Sequence, residues 1–171
     1  MKNLILGLIV GIFLLPVAAF LYLWFGYAPV ATSAPPLPFE RTLAAMALNA
    51  RIAKEAPKDA PVPPTELNLL AGAKIYQENC AVCHGTGEPR TAIAKGMFPP
   101  PPPLFEGKGV TDDPVGETYW KAANGIRLTG MPGFGGSLSD EQLWQVSQLL
   151  ANADKLPQSV KDLLAPPAPA H

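Results

Sequence analysis

The hydrophobic positions of this 171-residue chain fall into three patterns. The first is an unbroken apolar run. From Leu4 to Phe25 there is no charged side chain. As a helix at 1.5 Å per residue the run would measure about 33 Å, enough for a hydrocarbon core of about 30 Å. Pro16 lies inside it and would kink rather than forbid a membrane helix. Tyr22, Trp24 and Tyr27 gather at its far end, where amphipathic rings prefer the headgroup level. Residues 1–27 therefore read as a transmembrane anchor. The competing reading is a cleaved signal peptide, with Lys2 as its basic region and Ala31-Thr32-Ser33 near the cut. The run exceeds the roughly 7–15 residues usual for such a core, which favours the anchor. Lys2 is the sole basic residue before the run and Arg41 the first after it. Positive charge stays inside, so the remainder of the chain is expected outside the cytoplasm.

The second pattern is helical. Phe39, Leu43, Met46, Ala50 and Ala53 recur at intervals of three and four, predicting a helix over 39–56 with one apolar stripe. Arg51 and Glu55 are spaced for a surface ion pair on it. Proline-rich stretches flank this helix, so residues 28–64 read as two linkers around a loosely packed spacer. A main domain is expected over 65–165. Thr65 caps a helix over 66–79, whose buried face includes Leu69, Gly72, Ala73 and Tyr76. A glycine inside a helix costs about 1 kcal/mol against alanine, so Gly72 predicts close approach by another helix. A helix over 115–124 stops at Asn124-Gly125. Ser139 and Gln142 form a capping box for a helix bearing Leu143, Trp144, Val146 and Leu150. Pro157 starts a short last helix to about Leu164.

The third pattern is a lack of pattern. Residues 85–113 read as irregular, with a polyproline II run at 99–103, and residues 166–171 as a disordered tail. Proline is 21 of 171 residues. Proline cannot donate to a ladder, which argues against a long sheet. The fold class expected is all-α.

Charge narrows the function. A formal net charge of −1 excludes the basic footprint of a nucleic-acid binder. Two cysteines and two histidines bound any metal centre, because a zinc site would consume nearly all of them.

Three of those four residues stand together as Cys80-Ala81-Val82-Cys83-His84. This is the C-x-x-C-H attachment sequence of a c-type haem. Two thiols three residues apart reach the two vinyl groups on one porphyrin edge, and the adjacent imidazole can turn onto the iron. An iron–sulfur cluster would need about four thiolates. A disulfide across so short a loop would be strained and would leave His84 unexplained. The second axial ligand is sought among Met46, Met97 and Met131, since His171 belongs to the tail. Met131 leads, because Gly130 and Pro132 shape a loop that can turn a thioether inward. Met97, beside the proline run, suits an apolar wall and stands next. Such a wall would draw on Ile93, Met97, Phe98, Leu104, Phe105, Tyr119, Trp120, Leu128 and Phe134. Arg90, Lys95 and Arg127 are candidate partners of the propionates.

The Cys80–His84 motif, the Gly130-Met131-Pro132 loop and the helix order resemble the class I monohaem cytochromes c, over about residues 65–155. The style is similar to bacterial membrane-anchored cytochromes and the cytochrome domains of haem–copper oxidase subunits. The resemblance implies a small helical domain wrapped round one covalent haem c, here behind a transmembrane helix. It implies an early helix crossing the last one, with Gly72 and Tyr76 facing Trp144 and Leu143. It also implies a proline carbonyl receiving the axial histidine's Nδ1 hydrogen and a leucine over the haem. Pro102 and Leu104 fit those places, with some residue of 100–103 as the register. The site residues expected are Cys80, Cys83, His84, Met131, Pro102 and Leu104, with His84 and Met131 on the metal.

The function implied is single-electron transport between respiratory or periplasmic redox proteins at the bacterial cytoplasmic membrane. Partners would be a quinol-oxidising complex, dehydrogenase, oxidase or reductase, with no small-molecule substrate and no enzymatic step. The alternative is a permanent cytochrome subunit of a larger membrane oxidoreductase. Residues 65–165 hold eleven acidic against eight basic side chains, a formal −3. That argues against a basic docking ring.

Overall fold

The computed structural model describes residues 2–87 and 91–165, with the side chains of Leu4, Leu6 and Leu8 excepted. Arg90 and the tail at 166–171 lie outside the described residues. The chain divides into two compact units, Met1–Arg41 and Thr42–His171. Every regular element among the described residues is helical.

In the first unit, α1 spans Lys2–Trp24 with Pro16 inside it. Its apolar side chains are exposed wherever they are described, among them Phe13, Leu15, Phe20 and Trp24. They are described without interruption over residues 9–24, about 24 Å of helix. Among the described residues no helix is long and apolar enough to cross a membrane. Phe20 stacks on Trp24, and Tyr22 on Tyr27.

The second helix, α2, spans Glu40–Glu55. Its Arg51–Glu55 ion pair forms at 2.7 Å. Its apolar stripe is on the other side from the one buried. Ile52 is buried and Leu48 half-buried, while Leu43 and Met46 are exposed. At 100° per residue Leu48 and Ile52 lie nearly opposite Leu43, Met46, Ala50 and Ala53. The helix is therefore apolar on two faces, and the folded unit takes the one that simple periodicity passes over.

The core is built from α3 (Glu66–Asn79), α7 (Asp140–Ala151) and α8 (Gln158–Leu164). Leu69, Ala73 and Tyr76 of α3 pack with Val146, Leu149 and Leu150 of α7, and with Leu156, Val160 and Leu164. Thr65 accepts from the Asn68 amide at the start of α3. Both halves of the capping box at Ser139 and Gln142 are present on α7. The helices meet most closely at Gly72, where a Cβ would lie 2.3 Å from the Gln145 carbonyl oxygen. The neighbours of Gly72 are thus Gln145 and Leu149. The Trp144 ring stacks instead on Tyr119 of α6 (Val115–Asn124), at 4.2 Å between centroids. The Tyr119 hydroxyl donates to Asp140, and that bond more than burial pushes its pKa up to about 12.

Thr118 on α6 is buried, and its Oγ1 has no hydrogen-bond partner among the described residues. A buried hydroxyl left unpaired costs about 1–3 kcal/mol. Thr118→Val keeps the shape and removes the orphan. The variant is expected to hold or raise the thermal midpoint, and a calorimetric scan checks it.

The region expected to be irregular contains one short helix, α5 (Ala92–Gly96), and the single turn α4 (Ala81–His84) stands just before that region. Neither is long enough to show a hydrophobic period, so the sequence gives no signal for them beyond the Thr91 cap of α5. The proline run follows, with a cis Phe98–Pro99 peptide.

Candidate haem site

The site starts where α3 stops. Asn79 ends that helix and Cys80 caps it. The chain then makes the single turn α4, closed by Cys83 N–H and His84 N–H donating to the Cys80 carbonyl at 3.1 and 2.9 Å. This turn sets Cys80, Cys83 and His84 along one wall of a cavity. Gly85, with φ +70, ends the turn, and the buried Tyr76 hydroxyl donates to its carbonyl. The attachment turn is thereby tied to the core by a residue of α3. Burial, and then the proximity of Cys80, push the Tyr76 pKa well up, so it stays a donor.

Both cysteines are partly buried, and neither is in a disulfide. Burial first and Cys83 second push the Cys80 thiol up to about 11.

His84 Nδ1 lies 2.8 Å from the Pro102 carbonyl oxygen. A carbonyl only accepts, so Nδ1 carries the proton and Nε2 keeps its lone pair for a metal. Such a bond fixes both the tautomer and the ring.

The facing wall is the loop after α6. Ile126 N–H donates to the Met131 carbonyl at 3.1 Å, and Met131 N–H donates to Thr129 Oγ1 at 3.1 Å. Thr129 Oγ1 in turn donates to the Ile126 carbonyl. The loop is fastened to the end of α6, where Phe134 and Gly135 amides donate to the Ala122 and Ala123 carbonyls. Gly125, at φ +70, leaves room for this return, since a Cβ there would lie 2.5 Å from Gly133 N.

Together these walls enclose about 630 Å³ of empty volume, its mouth included. Cys80, Cys83, His84, Met97, Met131, Ile126 and Phe134 line it, with Asn79, Pro99–Pro102, Thr129, Gly130 and Pro132. Pro102 is there, as expected. Leu104 is not among the lining residues and packs against the core. Phe105 likewise meets the Tyr76 ring edge-on. Ile93 and Leu128 are exposed, Leu128 almost fully. Trp120 turns its indole N–H to Glu55. Met46 is exposed on α2. Lys95 and Arg127 are exposed as well. The lining residues missed by sequence reasoning, Asn79 and Ile126, flank the motifs without belonging to them. Met97 and Met131 share the cavity, and a Cβ on Gly130 would lie 2.1 Å from Met97 Cε.

The donor set fits haem c. Two thiols stand one helical turn apart, an imidazole has its Nδ1 engaged, thioethers lie in the same cavity, and the lining is predominantly apolar. The family described as "Cytochrome C oxidase, cbb3-type, subunit III" matches residues 68–150. Cytochrome c6 of Limnospira maxima is 32% identical over 80 residues, covering 47% of this chain and 86% of that protein. The chain belongs to the class I cytochrome c family. Its domain is an electron-transfer module of the cytochrome c kind, and the covalent cofactor is haem c on Cys80 and Cys83.

The cytochrome is also similar to a thiosulfate dehydrogenase of Stutzerimonas stutzeri, 34% identical over 102 residues. That match covers 58% of this chain and 32% of the relative. A cytochrome c subunit of a quinone alcohol dehydrogenase from Gluconobacter oxydans is 38% identical over 89 residues, covering 44% of this chain and 16% of the relative. The chain thus spans a third or less of these two larger proteins. Among solved structures, the Kuenenia stuttgartiensis reducing HAO-like complex Kustc0457/Kustc0458 aligns with a TM-score of 0.48 and 30% identity. That alignment covers 54% of this chain and 46% of the other.

Proposed function

We propose that this cytochrome is a membrane-tethered carrier of single electrons whose iron is held between His84 and Met131. The observation that carries the reading is the cavity itself: His84, with Nδ1 engaged by Pro102, and Met131, on a loop braced by Thr129 and α6, line one apolar space. Bound haem supplies a one-electron iron couple. The chain supplies the rest. Cys80 and Cys83 retain the group covalently. His84 presents Nε2 because Nδ1 is engaged. Met131 supplies a thioether, which raises the potential relative to a second imidazole. Held by both His84 and Met131, the iron would offer no place for a substrate. The apolar walls keep water out and so limit rearrangement as charge changes.

The haem domain proposed is residues 65–165, preceded by the linker region 28–64 and the anchor 1–27. Support for the anchor is the uncharged sequence 4–25 on the helical backbone Lys2–Trp24. The positive-inside pattern supports a haem domain on the periplasmic side of a bacterial membrane. Tethering raises the effective concentration of a partner in the same membrane. Partners are other redox proteins: a quinol-oxidising complex or dehydrogenase as donor, an oxidase or reductase as acceptor.

A second reading, a permanent subunit of a larger oxidoreductase, is favoured by the exposed apolar face of α2 at Leu43 and Met46. Two measurements separate the possibilities. Carbonate washing of membranes should leave the haem-staining band in the pellet, and its release into the supernatant would remove the anchor. Mild solubilisation followed by sizing should give a monomer-sized haem species, and a large stable particle would support the subunit reading instead.

A further inference from the structure

The chain ahead of the family match is fastened to the haem domain at three points, and one apolar side chain ahead of them is buried. Ile52 is 2% exposed. Glu55 accepts the Trp120 indole N–H at 3.2 Å. The Pro57 carbonyl lies so close to Gly116 that a Cβ there would come within 1.8 Å of its oxygen. The Val62 carbonyl accepts from the buried Gln148 side chain at 2.6 Å. Residues 52–62 are thus a strap, and two of its fastenings, at Gly116 and Trp120, are on α6.

The opposite end of α6 carries the Met131 loop. The Ala122 and Ala123 carbonyls hold the Phe134 and Gly135 amides, and Gly125 and Gly133 permit backbone contact too close for any side chain. Along α6 the strap contact at Gly116 stands about 9 Å from Ala122, and the one at Trp120 about 3 Å. A helix transmits displacement along its axis as a rigid element, and its packed ends adopt discrete arrangements.

We infer that residues 52–62 are a positioning strap for the axial-ligand loop: by clamping the first turns of α6 they fix where its last turn holds Met131. The inference rests on Met131 being the iron's thioether ligand. It makes the strap part of the redox module rather than a passive linker, with Gly116, Trp120 and Glu55 as positioning residues. Loosening the strap weakens the hold of the thioether on iron and leaves the cysteine attachment, on α4, untouched.

The test is competition by an added ligand in the oxidised, full-length, haem-loaded protein. Imidazole displaces an iron-bound thioether, and its apparent Kd reads how firmly the loop holds Met131. Gly116→Ala, which cannot keep Pro57 in place, is expected to bind imidazole about tenfold more tightly, the equivalent of about 1.4 kcal/mol. Trp120→Phe, which keeps a ring and loses the donor, should show a several-fold gain. Glu55→Gln keeps an acceptor oxygen and should match the parent. Val160→Ala, in the core far from the strap in sequence, is the control for general destabilisation and should not shift the Kd. If Gly116→Ala does not fold, Trp120→Phe against Glu55→Gln decides. Parental imidazole affinity in Trp120→Phe overturns the inference, as does an equal gain in Val160→Ala. A parent protein whose oxidised spectrum lacks the thioether-to-iron charge-transfer band would defeat the Met131 reading itself, a different and separately visible failure.

Discussion

Replacing Met131 with alanine is expected to abolish the thioether-to-iron charge-transfer band of the oxidised protein and to lower the reduction potential. The drop should be on the order of a hundred millivolts or more, a fraction of the roughly 0.8 V that axial ligands span. The change opens a coordination position, so the variant should also bind carbon monoxide and imidazole readily. Covalent retention of haem should survive, because Cys80 caps α4 and Cys83 lies within it, away from the Met131 loop. The same substitution at Met97 should leave the band in place. Met97 lines the cavity beside the proline run, and its N–H makes a long bond of 3.4 Å to the Ala94 carbonyl, whereas Met131 is held at both its N–H and its carbonyl at 3.1 Å. An optical spectrum and a potentiometric titration of the two variants check the pair of outcomes.

Gly72→Val is expected to be the most damaging single change in the core. A Cβ at position 72 would lie 2.3 Å from the Gln145 carbonyl oxygen and 2.8 Å from its carbon. These are backbone atoms inside α7, so no rotamer change relieves the contact, and the two helices must separate. Overpacking a core costs about 1–3 kcal/mol and occasionally more. Here the separation also strips contact from Leu149 and Tyr76, both fully buried. Tyr76 anchors Gly85 at the end of the attachment turn, so the damage extends to the haem site. Denaturant unfolding of the haem-loaded protein should show a loss of at least about 3 kcal/mol for valine. Alanine should cost less, since only its Cβ intrudes. A valine variant as stable as the parent would mean that the α3–α7 contact is not this close.

How much of this was legible in the sequence depended on whether a signal was local. The helices at 66–79 and 115–124 were readable residue for residue because each carries its own stop and, in the first, a threonine cap. The capping box at Ser139 and Gln142 is equally local. The attachment motif needed no fold at all. Gly72 announced a close contact through its cost in a helix, but not its partner. The expected Trp144 and Leu143 were one and two residues away from Gln145, because the face of α7 that α3 meets depends on the crossing and not on hydrophobicity. Met131 was singled out from the shape of its own loop. Its fastening to Ala122 and Ala123 was invisible, being made by backbone groups. Leu128 and Ile93 looked like pocket residues because they are apolar and near the motifs, yet they face solvent. On α2 the period is real on both sides, and only tertiary packing chose Ile52 over Met46.

The central claim is that His84 and Met131 hold the iron between them. The most direct measurement is proton and carbon NMR of the reduced protein with its methionine methyl groups isotopically labelled. A methyl bound through sulfur above the haem plane is carried far upfield by the ring current. The account predicts one such methyl, and predicts that it vanishes in Met131→Ala and persists in Met97→Ala. No upfield methyl, or one that follows Met97 instead, would contradict it.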